Sequence, residues 1–212
     1  MTHIYLIRHG RTAWNHSDRL QGWADEPLDA VGLAQAASLA DWLADTHFDA
    51  IYSSPLRRAR QTAEIMAQPH GLPVRFDDRL RERNVGDWTG LTLDEARARA
   101  PERFLDDWRE VGAPGGEGQA ALAGRVAAAL DDIVVAHLEG TVAVVSHGGS
   151  LSAALAHVLG IPTSHGVSFS FHNTAIARLI VRPNSGGLRM VRLISLGDDR
   201  HLQGVTEEPP AM

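Results

Sequence analysis

The sequence predicts an α/β fold with a mostly parallel central sheet. Three observations carry that expectation. Short apolar runs, Ile4–Ile7 and Thr141–Ser146 above all, read as strands buried on both faces. Each is followed by a segment of helical periodicity, and strand and helix alternate along the chain. Basic, histidine or glycine residues stand where strands hand over to loops or helices, at Arg8-His9-Gly10 and Ser146-His147-Gly148-Gly149. In open α/β sheets ligands bind beyond the carboxyl ends of the strands, so chemistry is expected there.

In chain order, His3 to Ile7 is the first strand, and Gly10 to Leu28 a polar loop holding Trp14, Asn15, Gln21, Gly22 and Trp23. A helix starts after Asp29, a good N-cap, with Leu33, Ala36, Ala37, Leu39, Ala40 and Leu43 as its apolar stripe. Phe48–Ser53 is the second strand. Pro55 is expected near the first position of the next helix, which runs from about Leu56 to Gln68. Leu72–Phe76 is a short strand and Asp78–Gly90 an irregular, charged stretch. Two short helices, Leu93–Ala100 and Glu102–Val111, break at Pro101, and a loop spans Gly112–Gly118. A long helix covers Gln119–Leu138, and a shorter one Leu151–Leu159 follows the Thr141–Ser146 strand. Phe169–Phe171, Thr174–Val181 and Leu188–Leu196 read as strands, the last two joined by the Pro183–Gly187 turn into an antiparallel hairpin at one sheet edge. Residues 1–212 are expected to form one domain, with a lid-like insertion at about 84–118 and a flexible tail from about 199.

The totals exclude several functions. With no cysteine there is no disulfide framework, thiolate metal site or cysteine nucleophile. Met1-Thr2-His3 leads directly into a strand, so no signal peptide is expected, and no apolar run approaches the ~18 residues that span a bilayer. A cytoplasmic location is the expectation. The net charge of −6 argues against a nucleic-acid partner, yet arginines cluster at 8 and 11, at 57, 58 and 60, and at 79, 81 and 83. Concentrated basic spots on an acidic protein suit a small anion.

Arg8-His9, Arg57-Arg58 and Ser146-His147-Gly148-Gly149 all fall at one edge if the sheet is parallel, and Glu82 lies among arginines in a loop. Such a set can surround phosphoryl oxygens with fixed donors. A neutral imidazole can attack phosphorus, and a carboxylic acid can protonate the departing oxygen. Arg57, Arg60, Arg79 and Arg81 read as solvated charges. His16, His47, His70, His137, His157 and His201 read as surface residues, and no histidine pair has metal-ligand spacing.

Arg8-His9-Gly10-Arg11-Thr12-Ala13-Trp14-Asn15 resembles the RHGxTxWN opening of the histidine phosphatase superfamily, in its phosphoglycerate mutase-like branch. Ser53–Ala63 is similar to that branch's SSxLxRAxQTA segment, Leu80–Gly90 to its LxExxxGxWxG segment, and Val144–Gly149 to its second-histidine motif. The resemblance implies a three-layer α/β/α sandwich, the phosphoglycerate mutase-like fold. It implies that His9 is the phosphorylated nucleophile, that Arg8, Arg58 and His147 hold the phosphoryl group, and that Glu82 is the proton donor. Asn15, Gln21, Gly22, Arg83 and Gly148 would add substrate contacts. It implies no metal and no organic cofactor, a small phosphorylated metabolite as partner, and leaves a homodimer open. Hydrolysis is expected over mutase chemistry. The stretch from Glu82 to Glu117 is shorter than in glycolytic mutases, and Val85 and Leu93 stand where those mutases carry a tyrosine and a lysine, although Arg83 matches them. The third reading is a catalytically silent module that binds a phosphorylated ligand. Gly118 departs from the family's usual serine. Trp14, Trp23, Trp88, Phe104 and Trp108 are expected near the mouth or its lid, more as packing than as substrate contacts.

Overall fold

The computed structural model describes residues 1–105, 107–162, 167–183 and 189–205. A six-stranded sheet has the order β3-β2-β4-β1-β5-β6, formed by β1 (Thr2–Arg8), β2 (Ala50–Ser53), β3 (Val74–Phe76), β4 (Thr141–Ser146), β5 (Ile176–Pro183) and β6 (Arg189–Asp198). The first four strands run parallel; β5 is antiparallel to β1, and β6 to β5. The expected edge hairpin is therefore present. The turn read at Pro183–Gly187 lies outside the described residues beyond Pro183.

Successive residues of a strand face opposite ways, and this divides the core. Ile4, Leu6, Val142 and Val144 pack with Leu122, Val126, Leu130, Leu151 and Leu155 of helices α6 (Gln119–Ala136) and α7 (Gly148–Leu159). Tyr5, Ile7, Ala143 and Val145 face the other way, onto Leu39 and Leu43 of α2 (Ala30–Leu43) and Ala59, Ala63 and Met66 of α3 (Arg57–Ala67). The result is the three-layer α/β/α sandwich. A third cluster of Val85, Trp88, Ala96, Ala100, Trp108 and Ala113 stands apart from the sheet, built by α4 (Leu93–Arg99), α5 (Trp108–Val111) and the turns around them.

Several local expectations are corrected. The loop after β1 contains a one-turn helix, α1 (Ala13–His16), closed by a capping box between Thr12 and Asn15. Pro55 lies outside α3, because Leu56 is the extended N-cap residue. Leu33 and Ala37 are exposed, and the buried stripe of α2 uses Val31 and Gly32 instead. Only Trp108–Val111 is α-helical within the second lid segment; Pro101–Phe104 is a 3-10 turn. α7 begins at Gly148, three residues earlier than expected. Phe169–Phe171 is not a strand: its backbone bonds go to side chains, Phe169 N–H to Ser152 Oγ at 2.9 Å and Phe171 C=O from Arg8 at 2.5 Å. Within the segment read as a tail from 199, Arg200–Leu202 forms a 3-10 turn and His201, expected at the surface, is buried; residues 206–212 lie outside the described residues. No helix among the described residues is long and apolar enough to cross a membrane.

The loop after β1 lies against α2 with no room to spare. A Cβ built on Gly32 would sit 2.0 Å from the Arg11 carbonyl oxygen. We expect Gly32→Ala to cost about 1–3 kcal/mol through forced displacement of that loop, read as a lowered urea midpoint; an unchanged midpoint would show that the loop can yield.

Candidate functional site

The register of the three central strands brings their carboxyl ends level. Arg8 pairs with Ser146 and Ser53 with Val145. The ladder continues one bond further, from His9 N–H to Ser146 C=O (2.9 Å) and from Ser54 N–H to Val145 C=O (3.0 Å). His9, Ser54 and His147 therefore leave the sheet side by side. Above them opens a cavity of about 500 Å³, a volume suited to a small metabolite. Arg8, His9, Asn15, Gln21, Gly22, Arg58, Glu82, Arg83 and Gly148 all line it. His147 is fully buried directly behind, its ring centroid 5.1 Å from that of His9.

The two histidines are held in defined tautomers. His9 Nδ1 lies 2.7 Å from the Gly10 carbonyl oxygen, which can only accept, so Nδ1 carries the proton and Nε2 the lone pair. Arg58 Nε donates to His147 Nδ1 at 3.1 Å, so the proton of His147 is on Nε2, 2.8 Å from Ser54 Oγ. Both ring nitrogens of His147 are thus engaged within the protein. Burial, and then the adjacent Arg58 guanidinium, hold both imidazoles well below the ordinary histidine range, so both are neutral at pH 7.

Arg58 is almost fully buried, and burial lowers it to about 10, with Glu82 opposing the fall. It stays cationic at neutral pH. Its guanidinium also donates to the carbonyls of Gly22 and Ala24, both at 2.8 Å. Three of its five N–H groups are spoken for, which leaves two for a ligand. Arg8 gives one N–H to Phe171, and its Nε has no partner among the described residues. Asn15 uses its amide oxygen on Thr12, leaving its NH2.

Glu82 Oε1 accepts from Arg83 N–H (2.7 Å) and Oε2 from Gly149 N–H at the start of α7 (3.0 Å). A Cβ on Gly149 would come within 2.4 Å of Oε1, so only glycine leaves the carboxylate its place. Arg125 of α6 donates to the carbonyls of Arg79, Arg81 and Glu82 at 2.6–2.8 Å and also binds Glu117, which receives the Asn84 N–H. One side chain thereby ties the acidic loop to the lid.

Sequence reasoning missed Ser54, Arg125, Asn173 and Thr174. Ser54 was legible by position, one residue past a strand. Arg125 had a fainter mark, a charge three residues after Leu122 and one before Val126 on the apolar stripe of α6. Asn173 and Thr174 touch His9 only through the long-range pairing of β1 with β5. Of the aromatic residues, Trp108 lines the cavity, while Trp88 stacks on Phe104 inside the lid cluster. Among the described residues no group of three or more metal-ligating side chains comes together.

A neutral histidine, two guanidiniums and a carboxylate line one cavity at the carboxyl edge of the sheet, a set suited to phosphoryl transfer. Residues 4–194 match the model of the histidine phosphatase superfamily, branch 1, and the chain belongs to that family. It is 35% identical over 178 residues to phosphoserine phosphatase 1 of Hydrogenobacter thermophilus, covering 82% of this chain and 84% of that one. It is 33% identical over 210 residues to the probable phosphoglycerate mutase GpmB of Yersinia pestis, covering 95% of both. The solved mycobacterial glucosyl-3-phosphoglycerate phosphatase superposes with a TM-score of 0.83 at 32% identity, over 92% of this chain and 98% of that one. The protein is a phosphatase, a phosphomonoester hydrolase of the histidine phosphatase type, and mutase chemistry is the weaker alternative.

The neutral histidines carry a consequence for stability. Unfolded, His9 and His147 would titrate near 6.5; folded, both lie well below it. Below pH 6.5 the unfolded chain takes up protons that the folded one refuses, so stability falls as pH drops. The carboxylates with lowered values act only below about 4.5. Urea midpoints are expected to be level from pH 8 to 7 and to decline between 6.5 and 5. A level profile down to pH 5 would contradict the neutral pair.

Proposed function

We propose that the chain hydrolyses a small phosphomonoester whose leaving group carries a carboxylate, through a phosphohistidine at His9. The observation that carries the first half is the His9 ring: Nδ1–H fixed on the Gly10 carbonyl, Nε2 bare and neutral, with Arg8 and Arg58 beside it on the cavity wall. In this reading the free N–H groups of Arg8 and Arg58, with the Asn15 amide, hold the three phosphoryl oxygens. His147 acts through Arg58, whose guanidinium it orients. Nε2 of His9 attacks phosphorus; the N–P bond forms as the bond to the leaving oxygen breaks. Glu82 in its acid form gives that oxygen a proton. As the carboxylate it then takes a proton from water, whose oxygen attacks phosphorus and releases His9 and inorganic phosphate.

The leaving-group half rests on Arg83. Its guanidinium is buried in the cavity wall, donating to the Arg109 carbonyl at 2.8 Å and to Gln119 Oε1, and it makes no ion pair with a carboxylate among the described residues. Trp108 Nε1, also at the cavity, has no partner among the described residues. A ligand carboxylate would satisfy the cation and the indole together. The substrates named for two of the relatives, phosphoserine and glucosyl-3-phosphoglycerate, both bear such a group. Residues 84–118, with their own apolar cluster, serve as the lid that sets this half of the site. Val85 lines it and Leu93 packs into the lid cluster, neither able to do what the mutase tyrosine and lysine do.

Phosphate release from 3-phosphoglycerate and from glycerol phosphate compares one skeleton with and without the carboxylate. The wild type is expected to favour the former by about 10- to 100-fold in kcat/KM, the worth of one charged hydrogen bond. Arg83→Leu should erase the preference while sparing glycerol phosphate, and His9→Ala should abolish both. Equal wild-type rates would remove the carboxylate from the reading; activity in His9→Ala would remove the nucleophile. Glu82→Gln is expected to lose far more on these alkyl esters than on nitrophenyl phosphate, whose leaving oxygen hardly needs a proton. Equal losses would take the acid role from Glu82.

A further inference from the structure

The turn before β5 grips the backbone of the nucleophile. Asn173 Nδ2 donates to the His9 carbonyl at 2.9 Å. Thr174 N–H is shared between the carbonyls of Arg8 (3.1 Å) and His9 (3.3 Å). The direction of the His9 ring depends on that backbone, since its Nδ1–H is fixed on the next carbonyl, Gly10.

Thr174 reaches this position at a conformational cost. It is fully buried, and its φ of +58° is in the left-handed region, where a β-branched residue is out of place. Such a residue carries about 1–3 kcal/mol of strain and persists only where its surroundings enforce it. The enforcing contact comes from the C-terminal turn. Thr174 Oγ1 gives its single proton to the Asn173 carbonyl at 2.7 Å, so it must accept from His201 Nε2, 2.9 Å away. His201 is buried, and its carbonyl in turn receives the Ser38 hydroxyl of α2. Its Nδ1 has no partner among the described residues, as a neutral Nε2–H tautomer tolerates and a protonated ring would not. Burial lowering His201 from the ordinary value fits that state.

We propose that His201 and Thr174 are positioning residues for the His9 nucleophile: the C-terminal turn locks the strained Thr174, which with Asn173 fixes the backbone that aims the His9 ring. The proposal rests on His9 being the nucleophile. The donor on His201 is then worth more to the rate than to phosphate binding, because Arg58 is held by contacts outside this turn, on Gly22, Ala24 and His147.

The test is steady-state hydrolysis of nitrophenyl phosphate by the full chain, with the inhibition constant of inorganic phosphate measured beside it. His201→Phe fills the site without a donor; His201→Gln restores an N–H of similar reach. His201→Phe should lower kcat about 10- to 100-fold, the scale of a small misalignment, with KM and the phosphate constant within about twofold. His201→Gln should recover most of the loss. Wild-type kcat in His201→Phe would overturn the proposal, as would a loss that raises the phosphate constant equally and is not rescued by His201→Gln. If His201→Phe does not fold, Asn173→Ser reads the same link: a kcat-only loss supports it, and an unchanged kcat overturns it. His9→Ala, run in parallel, separates the two readings. Residual turnover there would fail the nucleophile itself, whereas normal His201 variants beside a dead His9→Ala would fail only the positioning role.

Discussion

The parallel pairing of β1 with β4, in the one register that sets Arg8 opposite Ser146, is the constraint on which the rest depends. A slip by one residue would turn Ile4 and Leu6 out of their cluster and Tyr5 and Ile7 out of theirs. Both faces of β1 and β4 are buried, so the register is fixed twice, by α6 and α7 on one side and α2 and α3 on the other. Hydrophobic packing alone therefore decides that His9 and His147 leave the sheet together.

The same burial creates the electrostatic problem that the site solves. Arg58 is a buried cation with no carboxylate bonded to it among the described residues; its partners there are two carbonyls and an imidazole nitrogen. These fix its direction but leave its charge uncancelled. Burial first, and after it the charge of Arg58, keeps His9 and His147 neutral, and the same charge suits an anion entering the cavity. Glu82 is kept at a distance from the guanidinium forks by being tied to backbone N–H groups at Arg83 and Gly149. Had it paired directly with Arg58, donor capacity and acid would have cancelled one another.

What was legible in the sequence follows from locality. Strand periods, the Asp29 cap and the strand-end positions of His9, Ser54 and His147 are written in neighbouring residues, so the sheet, its helices and the line of chemistry along its edge could be read. His147 as the acceptor that orients Arg58 could not, because its two ring partners come from 89 and 93 residues away. The docked C-terminal turn was missed for a related reason. Asp198–Gln203 is polar in composition, and only His201, sitting on Thr174 and α2, is drawn inside. The Phe169–Phe171 stretch had the composition of a strand, but side chains of Ser152 and Arg8 satisfy its backbone instead.

The division of the core into three clusters carries the last step. His9 and His147 leave the sheet that the first two clusters clamp, whereas Trp108 and Val85, which also line the cavity, belong to the third. Arg125 and Glu117 join the two parts through Asn84 and the acidic loop. Substitutions confined to the third cluster thus leave the strand register, and with it the place of His9 at the sheet edge, untouched.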